Sequence, residues 1–141
     1  MTSLIEKLSR RPCLTIDEDH EISLLATLLK RYNVGCLVVT NIRSNFPSGI
    51  VSERDLVKNF DAICKGKISK VKDIMTKNIV YCDMKATSNE IMQKMTNKKI
   101  RHLPIIDNNE LKGIVSIGDV VSRVISNYQK ETEYLKNYIS S

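Results

Sequence analysis

Two short stretches of the chain set a serine three residues ahead of an aspartate, each directly after an apolar run. One is Gly49-Ile50-Val51-Ser52-Glu53-Arg54-Asp55; the other is Gly113-Ile114-Val115-Ser116-Ile117-Gly118-Asp119. A strand ending at each serine and a helix starting there would give the pair two alternative duties. In the first, the serine caps unpaired helix N–H groups while the acid reaches back to the serine N–H, a capping box. In the second, the same geometry serves a ligand: helix N–H groups meet an anion, and the carboxylate accepts paired hydrogen bonds from a sugar diol. An acid beside an anion needs a cation to offset it. Arg54 is the candidate at Asp55, with Arg101 and His102 reaching in from elsewhere. Gly118 stands where Arg54 would be in the other stretch, so the two clefts are expected to be unequal, with the firmer grip on a phosphate at Asp55.

Little else in the chain offers chemistry. Two histidines and no G-x-x-x-x-G-K loop leave no visible nucleophile–base or acid–base constellation, so no catalysis is expected. Cys13, Cys36, Cys64 and Cys82 form no C-x-x-C pair, which argues against a zinc site and for small buried thiols rather than disulfides. Lys65, Lys67, Lys70 and Lys72 bunch in a chain of net charge +6; such a run is either a solvated loop or a local attractor of anions. With no Trp and few aromatics, and no zinc-finger, basic-zipper or aromatic RNA motif, nucleic acid is an unlikely partner. The longest strictly apolar run, Cys36 to Val39, is far too short to span a bilayer, and Met1 to Lys7 carries no secretory pattern. A cytoplasmic location away from membranes is expected.

The elements that must hold these residues repeat. Six of nine positions are identical between Gly49–Val57 and Gly113–Val121, at an offset of 64. Upstream, Asn33-Val34-Gly35-Cys36-Leu37-Val38-Val39 matches Lys99-Ile100-Arg101-His102-Leu103-Pro104-Ile105 in pattern, and Leu14–Asp17 matches Val80–Asp83, both at 66. The two extra residues of the first copy fall in a turn-rich loop, Thr40 to Ser48, while the second copy has the tight-turn signal Asp107-Asn108-Asn109-Glu110. Each copy reads as strand, helix, strand, strand, helix. The first helix carries a core stripe of Ile22, Leu25, Ala26, Leu28 and Leu29 in one copy and of Ile91, Met92 and Met95 in the other. A unit of about 50 residues cannot bury both faces of its sheet alone, so the copies should pack together. The expected fold class is α/β (α+β), two βαββα repeats in a pseudo-two-fold pair. Repeat 1 is assigned to 8–60, a linker to 61–73, repeat 2 to 74–128 and a helical extension to 129–141. Along that last helix Val120, Val121, Val124, Ile125, Tyr128, Thr132, Leu135 and Ile139 form a stripe that outruns the repeat and needs a further partner.

Val71-Lys72-Asp73-Ile74-Met75-Thr76, Arg101-His102-Leu103-Pro104-Ile105-Ile106-Asp107 and the two Gly-Ile-Val-Ser-x-x-Asp stretches, in this order and spacing, resemble the CBS-domain (cystathionine-β-synthase-type) family as a stand-alone tandem pair. The resemblance covers roughly residues 10–127. It implies AMP, ATP or a related adenosyl ligand, NAD-type ligands included, bound between the repeats as a regulator rather than a catalytic cofactor. It also implies a homodimer through the repeat helices and control of a partner protein. By the same resemblance Ser52, Arg54, Asp55, Met75, Thr76, Lys77, Ile100, Arg101 and His102 would line the Asp55 cleft. Ser116, Asp119, Arg11, Pro12, Cys13, Val34, Gly35 and Cys36 would line the other. There the sequence departs from the family: Gly35-Cys36 replaces the basic pair, and Val38 stands where the second copy has Pro104. A protein-interaction adaptor without a ligand, and a nucleic-acid binder, are the competing readings.

Overall fold

The computed structural model describes residues 3–140. The first copy and its lead-in comprise α1 (Leu4–Ser9), β1 (Thr15–Asp17), α2 (Ile22–Tyr32), β2 (Cys36–Asn41), β3 (Ser44–Ser52), α3 (Glu53–Lys58) and α4 (Phe60–Cys64). A 3-10 turn at Val71–Asp73 leads into the second copy, which comprises α5 (Ser88–Lys98), β4 (His102–Asp107), β5 (Glu110–Ser116) and α6 (Ile117–Ser140). The result is a mixed α/β fold with two small sheets and one long C-terminal helix.

Alternating apolar residues set the register. In the first sheet β1 runs parallel to β2 (Ile16 beside Val39), and β2 runs antiparallel to β3 (Leu37 beside Val51). The second sheet repeats the hairpin, with Leu103 beside Val115, but its third strand shrinks to a single parallel bridge, Cys82 to Ile105. The Cys82 N–H donates to the Pro104 carbonyl and the Ile106 N–H donates to the Cys82 carbonyl. The next bond back along that edge would come from residue 104, and proline has no N–H to give. Val38 occupies the matching place in the first copy, where three residue pairs form. The Thr40–Ser48 segment expected as a loop is mostly strand, because β2 runs to Asn41 and β3 starts at Ser44. Asn41 closes the turn by accepting from the Arg43 N–H at 2.8 Å. In the second hairpin Asn108 and Asn109 take φ of 51° and 61°, the left-handed pair of a tight two-residue turn.

Two cores result. One gathers Ile16, Ile22, Leu25, Leu29, Leu37, Val39 and Val51; the other gathers Cys82, Ile91, Met95, Leu103, Ile105, Val115 and Val120. Ala26, expected in the first helix stripe, is exposed, and Leu24 packs on the core instead. Each core is completed by the lead-in of the opposite copy. Val71 and Ile74, which precede the second copy, close the first core; Leu4, Ile5 and Leu8 of α1 close the second. Ile5 and Val71 lie 66 residues apart, as do Leu8 and Ile74, so this exchange obeys the same repeat. Helix α1 went unread in the sequence because it is only six residues long and its apolar partner lies about a hundred residues away.

Ile5 is fully buried. Replacing Ile5 by Ala should therefore cost about 2–5 kcal/mol in urea denaturation. A loss well under 1 kcal/mol would show that α1 is dispensable to the second core.

Candidate functional site

The two serine–aspartate turns form the same local structure. Asp55 Oδ2 accepts from the Ser52 N–H at 2.8 Å and from the Ser52 hydroxyl at 3.1 Å, while Ser52 Oγ accepts from the Asp55 N–H at 3.4 Å. At Asp119 the corresponding distances to Ser116 are 2.9, 3.0 and 3.2 Å. Both are capping boxes, and both aspartates are half-buried. The strand carbonyls at Gly35 and Arg101 take the first helix N–H groups, from Glu53 at 3.0 Å and Ile117 at 2.8 Å.

The opposite lead-in supplies a wall to each turn. Thr76 and Ile50 exchange both main-chain hydrogen bonds, at 2.9 and 3.0 Å, so Met75 and Thr76 lie along β3 just before Ser52. The approach is so close that a Cβ on Gly49 would stand 2.8 Å from both Met75 Sδ and the Thr76 carbonyl. Gly113 repeats the arrangement in looser form, with the Leu8 carbonyl 3.3 Å from where its Cβ would be. Lys77 and Pro12 are exposed, while Val34 and Ile100 are half-buried against their own cores. His102 reaches across to the first copy: its Cε1 lies 3.6 Å from the Cβ position of Gly35.

The placement of cations differs from expectation. Arg11 forks onto Asp119, with one guanidinium nitrogen 3.2 Å from Oδ1 and the other 2.9 Å from Oδ2, and the latter also donates to the Ile114 carbonyl at 3.0 Å. Gly118 therefore does not leave the Asp119 cleft without a cation. Arg11, three residues after Leu8 and carried in on α1, provides it. Asp55 has no ion-pair partner among the described residues; Arg54, its neighbour in sequence, and Arg101 are both exposed and make no ion pair there either. Burial pushes the Asp119 carboxyl up, but the Arg11 and Ser116 bonds outweigh it and hold the group below the usual carboxylate value. His102 sits at the junction of the two turns rather than in the Asp55 cleft alone. Burial lowers its pKa, Asp119 and Glu53 pull it up, and Arg101 pushes it down.

Burial drives the Cys36 thiol up to about 12, reinforced by Asp55, and the Cys82 thiol up to about 11. Such thiols stay protonated and unreactive at neutral pH. Cys13 is half-buried, and Cys64, expected inside, is exposed on α4. No group of three or more His, Cys, Asp or Glu is placed to hold a metal ion among the described residues. Of the bunched lysines, Lys70 and Lys72 pair with Glu21 and Asp19 just before α2, Lys65 pairs with Asp61 along α4, all at 3.0–3.2 Å, and Lys67 makes no ion pair among the described residues. No helix among the described residues is long and apolar enough to cross a membrane.

Comparison with known proteins identifies the repeat. The CBS-domain family pattern matches residues 5–62 and 71–126, one segment per copy. The chain belongs to the CBS-domain family. It is 36% identical over 117 residues to the mitochondrial CBS-domain-containing protein CBSX3 of Arabidopsis thaliana, a match covering 79% of this chain. It spans 56%, just over half, of that relative's length. The crystal structure of the CBS-domain protein ATU1752 from Agrobacterium tumefaciens superposes with a TM-score of 0.76 at 36% identity, over 84% of this chain and 90% of that one. A structure of CBSX2 in complex with AMP shares the CBS fold, with a TM-score of 0.77 at 21% identity, over 91% and 99% of the two chains.

The pH dependence of stability follows from His102. The folded chain binds the imidazole proton less readily than the unfolded one, so stability is full above pH 6.5 and declines as pH falls from there toward the lowered folded value. Asp119, held below 3.8, stays charged throughout that window. The melting temperature should fall between about pH 7.5 and about pH 5, and His102→Asn should flatten that fall. An identical slope in the variant would remove His102 from the account.

Proposed function

We propose that this chain is a regulatory CBS module that binds an adenosyl ligand of the AMP or ATP type in the Asp55 and Asp119 clefts, and that it controls a partner protein without catalysing a reaction. The observation carrying this reading is that both half-buried carboxylates stand beside a wall supplied by the opposite copy. A ligand seated there would bridge the repeats and report on how they are paired. The capping duty does not compete with it. At Asp55 the cap uses Oδ2, and Oδ1 has no partner among the described residues, so a ribose diol has an oxygen to bond. Ser52, Met75, Thr76, Lys77 and Ile100 would line this cleft, with Arg54, Arg101 and His102 near enough in the fold to meet a phosphate. Ser116, Pro12, Val34, Gly35 and Cys36 would serve the Asp119 cleft. The AMP bound by CBSX2 supports the ligand class. A NAD-type ligand shares the same adenosine and belongs in the screen.

The module would act in the cytoplasm as a homodimer. Supporting the dimer, Val121, Val124, Tyr128 and Leu135 of α6 are 42–70% exposed along one stripe, and Val57 and Phe60 are exposed as well. One observation favours an adaptor without a ligand: every bond the Asp55 carboxylate makes is to Ser52, so its presence needs no ligand.

Three measurements separate these readings. AMP should raise the melting temperature, and deoxyribose analogues should raise it less; equal shifts would remove the aspartates from the site. Asp55→Ala should weaken AMP binding by about 1.5–3 kcal/mol. Lost stability with unchanged affinity would leave the aspartate as a cap alone. Light scattering should give twice the 16.1 kDa chain mass at micromolar concentration, and a value near 16.1 kDa would defeat the dimer.

A further inference from the structure

We propose that Arg11 is the ligand-selecting residue of the Asp119 cleft, admitting adenosyl ligands that carry a phosphate anion and discriminating against uncharged ones. The inference rests on the reading that Asp119 accepts a ribose diol, and it adds which ligands can reach that acid.

Arg11 occupies both Asp119 oxygens in a two-point fork. Oδ2 is shared with the Ser116 cap, and Oδ1 is held by Arg11 alone. Oδ2 already accepts three bonds and Oδ1 has two acceptor sites, so a ribose diol that donates both hydroxyls to Asp119 takes the Oδ1 site that the guanidinium holds. With an uncharged ligand such as adenosine, the arginine loses the Oδ1 arm of its fork with nothing to replace it and keeps only Oδ2 and the Ile114 carbonyl. With AMP, the phosphate offers anionic oxygens to the guanidinium nitrogen that gives up Oδ1, so the charge-assisted bond lost at Asp119 is replaced. The exchange needs no main-chain movement. Leu8 is buried in the second core and accepts from the Arg11 N–H at 3.3 Å, which anchors the backbone. The Arg11 side chain, 46% exposed, is at liberty to swing.

The Asp55 cleft lacks this device. Lys77 stands 66 residues after Arg11, at the same place in the opposite lead-in, and makes no ion pair among the described residues. A lysine is a point charge without the fork. Asp55 therefore meets charged and uncharged adenosyl ligands without first surrendering a partner.

Calorimetry with AMP and with adenosine tests the proposal, on an Asp55→Asn background that leaves the Asp119 cleft to be read alone. AMP should bind about ten-fold or more tightly than adenosine. Adding Arg11→Ala should bring the two within about three-fold, with adenosine gaining and AMP losing. Arg11→Gln serves the same purpose should the alanine variant fail to fold. An unchanged ratio after either substitution, adenosine matching AMP with Arg11 in place, or loss of all binding in Asp55→Asn would overturn the role of Arg11 while leaving the Asp55 site standing. Absence of binding by both ligands to the wild-type chain would overturn the adenosyl reading itself, and this proposal with it.

Discussion

The exchange of lead-in segments between the two copies is the constraint on which the rest of the structure depends. A three-element layer of this size cannot cover its own helix-side face. Val71 and Ile74 supply what the first core lacks, and Ile5 and Leu8 supply what the second lacks. Neither copy is complete without the chain that introduces its twin. Stability and pairing are thus one property: separating the copies would pull fully buried Ile5 and Val71 into water. The close approach at Gly49 follows from the same exchange. Its missing Cβ is what lets Met75 and the Thr76 carbonyl lie directly on β3.

That packing also decides what reaches the serine–aspartate turns. The first lead-in, once pinned by its buried residues, runs past the end of the opposite hairpin and delivers Arg11 to Asp119. Arg11 follows Leu8 by three positions and Lys77 follows Ile74 by three. The capping boxes need none of this, since Ser52 and Ser116 satisfy them locally. A helix start alone therefore does not explain why Arg11 is carried to Asp119. The exchange makes these turns the points at which the two copies are joined.

Much of this was legible in the residues. The repeat shows as matches at offsets of 64 and 66, and the Asn108-Asn109 turn and most of the buried faces of α2 and α5 follow from local patterns, where period and turn chemistry are decisive. The family resemblance, carried by the same motifs, holds. What escaped reading depended on distant partners. Leu4, Ile5 and Leu8 look like a frayed terminus until Ile91 and Leu103 stand opposite them. The family resemblance places Arg11 in the Asp119 cleft but does not reveal its ion pair with Asp119, 108 positions away. Aligning Leu4–Arg11 with Lys70–Lys77 at the 66-residue offset carries the signal for both, because Ile5 then falls on Val71 and Leu8 on Ile74. Pro104 was visible as a departure between the copies, and its cost to the edge strand follows from its missing N–H.

The near-symmetry sharpens the meaning of the few places where it breaks. Four differences cluster at the turns: Arg11 against Lys77, Arg101 against Gly35, His102 against Cys36, and Gly118 against Arg54. Each lies where the copies meet, while the core positions keep their apolar character. Gly118 leaves the face beside Asp119 without a side chain beyond the backbone, and Arg11 comes in from the other copy to pair there. At Asp55 the arginine is on the helix itself and stands in solvent. The positive charge near each carboxylate is thus supplied from opposite sides, by the lead-in in one case and by the helix in the other. A cation on the lead-in is fastened to the opposite core through Leu8, so what it pairs with bears on how the copies are held together. A cation on α3 moves with its own copy alone. Two turns with the same cap can therefore differ in how far an event at the carboxylate is felt across the pair.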